Sequence, residues 1–204
     1  MGHLGGLHGG PGAPARSWSP EKGGCKTGWI EDLTVDGEGI GRSRGGLSSK
    51  IHLGVDGRGL PMSVILTAGQ DGDNPQLLPL LDQITVRRPG RGRPRVRPDE
   101  VRADKAYSHP STRAALRRRK IRFTCPERSD QIQRRKDKRS RGGRPPQFDP
   151  DSYRGRNVVE RCFNRLKQFR GLATRYAKRA AYYRSELIIA SLALWLRNDP
   201  QDTP

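Results

Sequence analysis

The sequence is poor in cysteine, and this excludes the small disulfide-stabilised and zinc-stabilised classes of protein. It contains only three cysteines, Cys25, Cys125 and Cys162. Their number is odd, their spacing is wide, and no two of them form a CxxC pair, so neither a disulfide framework nor a zinc site is predicted. We therefore expect thiols that stay reduced, as in a reducing cytosol.

Long hydrophobic runs are also lacking. The longest run, from Leu187 to Leu196, is interrupted by Ser191 and is well short of the roughly 20 residues that a membrane-spanning helix needs. The N-terminus is rich in glycine and has no apolar segment behind positive charges, so it does not resemble a signal peptide. We expect a cytoplasmic protein with no membrane partner.

Acidic residues are scarce relative to basic ones. Lysine and arginine total 40 against 21 aspartate and glutamate residues, which gives a formal net charge of +19. Such a surplus usually indicates a polyanionic partner, and nucleic acid is the first candidate. The alternative is an arginine-rich protein that binds nothing in particular. Charge by itself identifies no enzyme.

The first 39 residues differ in composition from the rest. The stretch from Gly2 to Gly24 is rich in glycine and proline and shows neither a helical nor a strand period, which predicts a disordered segment over 1–39. A chain of 204 residues is long enough for one ordinary domain. We place that domain at residues 40–198, with a short tail over 199–204.

Strand and helix patterns alternate along the predicted domain. Apolar runs on both sides of Asp56-Gly57-Arg58-Gly59 predict a β-hairpin. Further predicted elements are a helix over 75–84, a strand over 100–104, a helix over 110–120, a strand over 121–125 and a helix over 185–197. In the last helix the residues expected to cover the core are Leu187, Ile188, Leu192, Trp195 and Leu196. This order predicts an α/β fold.

Two segments carry most of the clustered positive charge. A loop rich in proline, glycine and arginine, from Arg87 to Pro98, leads to the strand over 100–104. The stretch over 129–146 is too polar to pack and is interpreted as a flexible basic loop. A solvated charge run explains the second segment too, but the net charge favours contact with phosphates. The basic residues concerned there are Arg134, Arg135, Lys136, Arg141 and Arg144.

Helix signals surround a cluster of polar residues near position 160. Asp149 followed by Pro150 predicts a helix start, so one long helix over 150–170 is expected, although Gly155 makes a start at Asn157 an alternative.

On one continuous helix Tyr153, Arg156, Glu160 and Lys167 lie within an arc of about 60°. A carboxylate then stands among cations at the edge of the apolar face. An ordinary Arg–Glu pair on a solvent-facing surface would explain the same geometry.

The spacing Tyr-x2-Arg-x3-Glu-x6-Lys resembles the signature of the DDE transposases in the IS-four and IS-five superfamily of bacterial insertion sequences. The matching residues are Tyr153, Arg156, Glu160 and Lys167. Segments over 41–52, 103–108, 140–146 and 156–161 also resemble the C-terminal half of that family. The resemblance extends from about residue 39 to residue 197.

The resemblance implies an RNase H-like catalytic domain in which two aspartates and one glutamate hold two divalent cations, usually Mg²⁺. Carboxylate oxygens suit such hard cations, and a metal pair can activate one oxygen while neutralising another. Asp104 matches the family's second acid and Glu160 its third, so both are expected to be catalytic residues and metal ligands. Arg156 and Lys167 match residues that hold DNA phosphates, and Tyr153 would position one of these groups.

The implied partners are the terminal inverted repeats of a transposon and its target DNA. The resemblance also suggests a homodimer that acts at the bacterial nucleoid.

The first acid of the family is missing from the sequence. In the family it lies in a motif Asp-Ser-Thr-x-x-Arg-Ala-His-Gln-His upstream of the hairpin, and Asp36 and Asp56 are poor substitutes. If Gly6 to Gly24 are reverse-translated and read one base later, the permitted codons include Asp-Ser-Thr-Val-Val-Arg-Ala-His-Gln-His. We therefore hypothesise that residues 1 to about 38 are an out-of-frame translation of the first-acid region.

Two origins of such a segment remain open, a decayed element and an element that uses programmed frameshifting. In both, the polypeptide is the C-terminal part of a transposase, lacks the strand that bears the first aspartate and is inactive alone. The alternative function is that of a non-catalytic DNA-binding protein that occupies transposon ends as an inhibitor or remnant.

Overall fold

A computed structural model of the chain describes residues 3–4, 39–43, 46–88 and 90–197. Strands and helices alternate, so the predicted α/β class is confirmed. The strands are β1 (His3–Leu4), β2 (Gly41–Ser43), β3 (Gly46–Val55), β4 (Pro61–Ala68), β5 (Glu100–Arg102) and β6 (Arg122–Thr124). The α-helices are α1 (Leu77–Asp82), α2 (Pro110–Arg118), α3 (Ser129–Asp137), α4 (Pro150–Arg154), α5 (Asn157–Lys167), α6 (Arg170–Ala173) and α7 (Ala180–Arg197).

The described strands form two three-stranded sheets. Strands β2, β3 and β4 are antiparallel, with β3 in the middle. Strands β1, β5 and β6 are parallel, and Val101 of β5 pairs with Leu4 on one side and with Phe123 on the other. The segment expected to be disordered contains β1, and its residues 1–2 and 5–38 lie outside the described residues.

The predicted hairpin is confirmed between β3 and β4. The Asp56 carboxylate accepts hydrogen bonds from the backbone N–H groups of Arg58 (3.0 Å) and Leu60 (2.8 Å). Gly59 has φ +85°, a conformation that glycine adopts without steric cost. The turn chemistry of these residues therefore fixes the register of the two longest strands.

The main core lies between the antiparallel sheet and the helices. Helices α1 and α5 pack against β3, α7 packs against β4, and α2 packs against β6. Buried side chains from these elements form one cluster, which includes Leu53, Leu66, Leu80, Leu116, Val159, Phe163 and Leu187. Burial of apolar surface of this kind is the main favourable contribution to folding.

The prediction of a flexible loop over 129–146 was wrong for its first half, which forms α3. No residue of α3 is buried, but Asp130 lies in the first turn and basic residues occupy the last turn, as the helix dipole favours. Gln131 also exchanges hydrogen bonds of 3.0 and 3.2 Å with Ser108. Favourable charge placement and these side-chain hydrogen bonds therefore stabilise α3 without the apolar face that the prediction required.

The predicted single helix over 150–170 is divided at Gly155, so the alternative start at Asn157 is confirmed. A Cβ atom added at Gly155 would overlap Nη1 of Arg102. The side chain of Arg102 therefore occupies the space beside this junction. A larger residue at this position would have to displace the Arg102 guanidinium.

Helix α7 turns a different face to the core from the one predicted. Of the predicted covering residues only Leu187 is buried, and the other residues that α7 buries are Ala180, Tyr183, Ala190 and Leu194. Ile188, Leu192, Trp195 and Leu196 are exposed instead. The helix is apolar on all sides, so its period does not define which face packs.

In the described part of the chain no helix is long and apolar enough to cross a membrane.

His52 is a buried histidine that should make folding sensitive to pH. Its side chain is 1% exposed, and its ring nitrogens lie 2.8 Å from Thr67 Oγ1 and 3.3 Å from the hydroxyl of Tyr107. Burial, with a smaller contribution from the charge of Lys50, lowers the pKa of His52 from 6.5 to about 4. Below pH 6.5 the unfolded chain therefore binds a proton that the folded chain excludes.

We expect the free energy of unfolding to fall by up to roughly 3 kcal/mol as the pH drops from 6.5 to about 4. Urea unfolding at several pH values measures this dependence. His52→Asn should remove this contribution to the pH dependence. Thr67→Val should destabilise the protein but keep the pH dependence, because the imidazole stays buried. Parallel pH curves for the unmodified chain and His52→Asn would contradict the assignment.

Candidate functional site

Asp104 lies just beyond β5 at the edge of the parallel sheet. It is half-buried and forms the N-cap of a 3₁₀ turn over Lys105–Tyr107, where Oδ1 accepts a hydrogen bond of 2.7 Å from the backbone N–H of Lys105. A cap of this kind is a sufficient structural reason for an aspartate. Any further role therefore depends on the groups that surround the carboxylate.

Arg156 and Glu160 form an ion pair across the first turn of α5. Nη2 of Arg156 lies 2.5 Å from Oε1 of Glu160, and the guanidinium lies over the ring of Tyr153, 5.5 Å from its centroid. Burial lowers the pKa of Arg156, but the hydrogen bond to Glu160 and the neighbouring Tyr153 and Asp104 raise it by more. Arg156 is therefore held firmly in its charged form.

The structure brings four of the predicted site residues into one neighbourhood. The charge of Asp104 raises the pKa of Arg156 and adds to the burial that raises the pKa of Tyr153. Asp104, just beyond β5, is therefore close enough to Arg156 and Tyr153 for its charge to act on both. The shared helix face was not the correct reason, since Tyr153 belongs to α4 and the helix breaks before Arg156.

Lys167 is the predicted site residue that lies apart from this neighbourhood. It is an exposed residue at the C-terminal end of α5. Seven residues of helix separate it from Glu160, which corresponds to about 10 Å along the axis. Lys167 is therefore placed to contact a ligand that extends beyond the acids.

A buried carboxylate fixes the elements that carry the site. Glu100 is 3% exposed, and its Oε1 accepts hydrogen bonds from Thr124 Oγ1 (2.6 Å) and Ser152 Oγ (2.5 Å). Arg102 donates from Nη2 to Glu100 Oε2 (3.1 Å) and from Nε to Ser152 Oγ (2.9 Å). These contacts join β5, β6 and α4 directly behind Asp104 and Tyr153.

Glu100 and Ser152 were not predicted as site-supporting residues. One signal was available in the sequence, a glutamate directly before the apolar residue of a short strand. Charged residues are almost never buried without partners. The partners here come from positions 24 and 52 residues away, which local patterns do not reveal.

Most of the predicted basic residues form an exposed surface over residues 134–144, which we call the basic surface. Arg134, Lys136, Arg141 and Arg144 are exposed, whereas Arg135 makes a short ion pair with Glu127 and is largely covered. Hydrogen bonds between Ser108 and Gln131 tie the start of this surface to the turn after Asp104.

The far end of the basic surface is also tied to the acid neighbourhood. The ring of Phe148 packs against the ring of Tyr153 with 5.3 Å between centroids. The segment that carries these positive charges is therefore tethered at both ends, close to Asp104 at one and to Tyr153 at the other.

The described carboxylates do not fit the two-metal site that the sequence resemblance implies. Among the residues that the structure describes, no group of three His, Cys, Asp or Glu residues is arranged to hold a metal ion. Asp104 and Glu160 are two acids, and Arg156 already binds one oxygen of Glu160. A pair of Mg²⁺ ions needs more oxygen ligands than these two side chains supply.

Comparisons with known proteins find relatives among the transposases of insertion sequences. A protein from Burkholderia cepacia, named as a transposase for insertion sequence element IS402, is 37% identical over 132 residues, which are 65% of this chain and 55% of that relative. The chain thus spans about half the length of that relative.

A protein from Brucella ovis, named as a transposase for insertion sequence element IS6501, is 30% identical over 151 residues, which are 74% of this chain and 100% of that relative. No solved structure matches the chain. Residues 24–196 match the family described as the transposase DDE domain. Since this match covers most of the sequence, the chain belongs to the transposase DDE domain family.

Proposed function

We propose that the chain binds transposon DNA along the basic surface beside Asp104 and Glu160, and that the 204-residue polypeptide alone does not cleave it. The observation that carries the proposal is the attachment of that surface at both ends to the acid neighbourhood. DNA bound to this surface would lie next to the carboxylates of Asp104 and Glu160. The substrates would be terminal inverted repeats and target DNA, and the site of action the bacterial nucleoid.

Arg156 supports contact with DNA phosphates at the acids themselves. Its Nη1 is buried and has no hydrogen-bond partner within the described part of the chain. An unsatisfied buried donor is costly, and a phosphate oxygen would satisfy it with a charge-assisted hydrogen bond. Lys167, about 10 Å further along α5, would reach a more distant phosphate.

The strand arrangement supports an RNase H-like domain of the IS-four and IS-five type in which β1 takes the place of the strand expected to be missing, and only the first acid is displaced from the reading frame. β1 is parallel to β5, and the carboxyl ends of adjacent parallel strands lie at the same edge of a sheet. In the sequence Gly6 follows the last residue of β1 by two positions, as Asp104 follows the last residue of β5. Gly6 is also the position whose codon, read one base later, can encode aspartate.

The nucleotide sequence tests this frame proposal directly. We expect an aspartate codon one base out of frame at Gly6, followed by codons for the rest of the first-acid motif. A slippery run at the overlap would indicate programmed frameshifting, and its absence would indicate a decayed element. If the neighbouring frame does not encode the aspartate, the proposal of a displaced first acid is wrong.

Removal of two charges from the basic surface should weaken DNA binding and its dependence on salt. We expect Arg141→Ala/Arg144→Ala to reduce the slope of log affinity against log salt by about 1.8, since each lost phosphate contact contributes about 0.9. Fluorescence anisotropy with a labelled terminal-repeat duplex measures this slope.

The matched control is Arg117→Ala/Arg118→Ala, which removes two exposed charges from α2. Equal slopes for the two variants would show that the basic surface does not bind DNA, and no binding by the unmodified chain would overturn the proposed function.

An incomplete acid set beside an extensive basic surface also favours a second function, the inhibition of an intact relative. A protein that binds transposon ends without cutting them blocks a competent enzyme. We expect the chain to reduce nicking by a frame-corrected version of itself when both compete for the same ends. Undiminished nicking at saturating concentrations of the chain would rule out this second function.

We also propose that two copies pair through the exposed face of α7. Tyr182, Ile189, Leu192 and Leu196 are 60%, 66%, 56% and 76% exposed, and their spacings of seven, three and four residues are those of a coiled-coil seam. The run from Leu187 to Leu196 contains no charge, so the strip is complementary to a second copy of itself. Together with Ile188 and Trp195 the strip exposes roughly 700 Å² of side-chain surface per copy. Two copies would together bury an area within the range of about 1,200–2,000 Å² that is typical of stable interfaces.

Acidic residues in this strip should give a monomer. We expect Ile189→Glu/Leu196→Glu to sediment as a monomer in analytical ultracentrifugation at concentrations where the unmodified chain is dimeric, because pairing would bury unpaired charges. Gln83→Glu/Gln147→Glu adds the same charge at exposed positions away from α7 and should remain dimeric. A monomeric unmodified chain, or dimers of both variants, would contradict the interface.

A further inference from the structure

A second concentration of positive charge lies outside the basic surface, in the loop between α1 and β5. We call residues 87–97 the arginine loop. They include six arginines and no acidic residue: Arg87, Arg88, Arg91, Arg93, Arg95 and Arg97. None of them belongs to the signature around Glu160 or contributes to the site described above. Their arrangement indicates a separate function.

The base of the arginine loop is closed by the protein itself. Val86 and Arg95 exchange two backbone hydrogen bonds, of 2.9 and 2.7 Å. Arg95 also makes an ion pair of 2.6 Å with Asp99 and donates from Nε to the carbonyl oxygen of Arg97. The tip of the loop therefore projects from a fixed base.

The tip combines two free arginines with a backbone that has little bulk. Gly90 and Gly92 have φ values of +98° and +146°, and no atom lies within 4 Å of a Cβ added at either position. Arg91 and Arg93 flank Gly92 and are exposed, and within the described residues neither has an ion pair or a hydrogen bond. Pro94 favours an extended conformation at Arg93.

We propose that this tip inserts into the minor groove of A·T-rich duplex DNA, with Arg91 and Arg93 directed along the groove. The inference rests on the proposed function, because it takes duplex DNA as the partner. The minor groove is only about 6 Å wide, so an extended chain fits where a helix does not. Gly92, without a side chain, allows the backbone to approach the groove closely.

The chemistry of the two arginines favours A·T pairs over G·C pairs. A·T-rich DNA has a narrow minor groove with enhanced negative potential, which attracts inserted arginine side chains. A·T pairs present only acceptors there, whereas a G·C pair adds the N2 amino group of guanine, a donor that guanidinium groups cannot use. The tip would therefore give the chain a sequence preference that phosphate contacts alone do not provide.

Three duplexes of equal length separate groove recognition from phosphate contact. One contains A·T pairs, one contains G·C pairs, and one contains inosine·cytosine pairs, which lack the N2 amino group but keep the major-groove acceptors of guanine. We expect the full chain to bind the A·T and inosine·cytosine duplexes about ten-fold more tightly than the G·C duplex in fluorescence anisotropy.

Variants of the tip should lose this preference. Arg91→Ala/Arg93→Ala should bind all three duplexes with similar affinity, and Arg91→Lys/Arg93→Lys should do the same although it keeps the charge, because an ammonium lacks the planar fork of donors. The control Arg117→Ala/Arg118→Ala removes as much charge elsewhere and should retain the ten-fold ratio. All these side chains are exposed, so unchanged thermal unfolding is expected for each variant.

Equal affinity of the unmodified chain for the three duplexes would overturn the inference, as would a preference that survives Arg91→Ala/Arg93→Ala. Tight binding of A·T with weak binding of inosine·cytosine would also overturn it, since it indicates major-groove recognition. Each of these results leaves the effect of Arg141→Ala/Arg144→Ala intact. Failure to bind any duplex would overturn both this inference and the proposed function.

Discussion

Glu100→Ala is expected to lower the free energy of unfolding by roughly 3–5 kcal/mol, because it breaks a buried and fully engaged charge network. The substitution leaves the Arg102 guanidinium without its carboxylate and the hydroxyls of Thr124 and Ser152 without their acceptor. In a chain of this size each kcal/mol lowers Tm by about 2–4 °C. The loss should therefore be obvious in thermal unfolding.

An exposed ion pair provides the control for this substitution. Asp82 pairs with Arg119 at 2.6 Å, but both side chains are substantially exposed, so Asp82→Ala should cost less than about 1 kcal/mol. If Glu100→Ala were no more destabilising than Asp82→Ala, the buried network would not hold β5, β6 and α4 together.

The same network predicts a loss of stability in acid. Burial would raise the pKa of Glu100, but hydrogen bonds from Ser152 and Thr124 and the charge of Arg102 outweigh burial and lower it. The contribution of the ionised carboxylate is therefore complete above the unfolded-state pKa of about 4.3 and is lost as the pH falls through the lower folded-state value. Urea unfolding of the unmodified chain and of Glu100→Ala should converge towards low pH.

The second large effect concerns the two acids in a frame-corrected chain, in which residues 6–23 are read one base later and so begin with the first-acid motif. There we expect Asp104→Ala and Glu160→Ala each to reduce Mg²⁺-dependent nicking of matched transposon ends by on the order of 10³-fold or more. The reason is that each removes one of the oxygen ligands that a hard cation requires. Single-turnover rates with labelled DNA measure the loss.

Asp151 is the matched control for these acids. It is an exposed carboxylate that pairs with Arg154 on α4, in the helix that also carries Tyr153. Asp151→Ala should nick DNA at the rate of the frame-corrected chain. Full activity in Asp104→Ala or Glu160→Ala would show that the site residues are assigned incorrectly.

Local chemistry made several elements predictable from the sequence. The Asp56 turn and the Asp149–Pro150 helix start are determined by residues within four positions of one another, so the hairpin and the start of α4 were predicted correctly. The arrangement of α7 depends instead on tertiary packing. Its residues 187–196 are apolar on every side, and packing against β4, α5 and α6 decides that Leu187 and Leu194 are buried while Leu192 and Leu196 are exposed.

The residues of the candidate site were predicted to be neighbours on a structural ground that the fold does not support. The spacing of Tyr153, Arg156 and Glu160 was interpreted as one face of one helix, whereas a break at Gly155 separates Tyr153 from the other two. Tyr153 and Arg156 still meet across one turn, where the Arg156 N–H donates to the Tyr153 carbonyl oxygen (2.9 Å), and Arg156 pairs with Glu160 one turn later. The contact that joins strand β5 to this region is long-range, because Arg102 donates to Ser152, 50 residues further along the chain. Such long-range contacts leave no periodic trace in the sequence.

The polar helix α3 shows the converse limitation. A high density of charge predicted a loop over residues that form a helix, because the prediction required an apolar face. Hydrogen bonds between Gln131 and Ser108 anchor this helix without one. Side-chain tethers of this kind become visible only when both partners are placed in the fold.

Nicking of matched transposon ends in Mg²⁺ by the unmodified chain and by its frame-corrected version tests the central claim most directly. Both should bind the DNA, since they share the basic surface over residues 134–144. Our account predicts cleavage by the frame-corrected chain and none by the unmodified chain. Cleavage by the unmodified chain that depends on Asp104 and Glu160, or an inert frame-corrected chain that still binds the DNA, would contradict it.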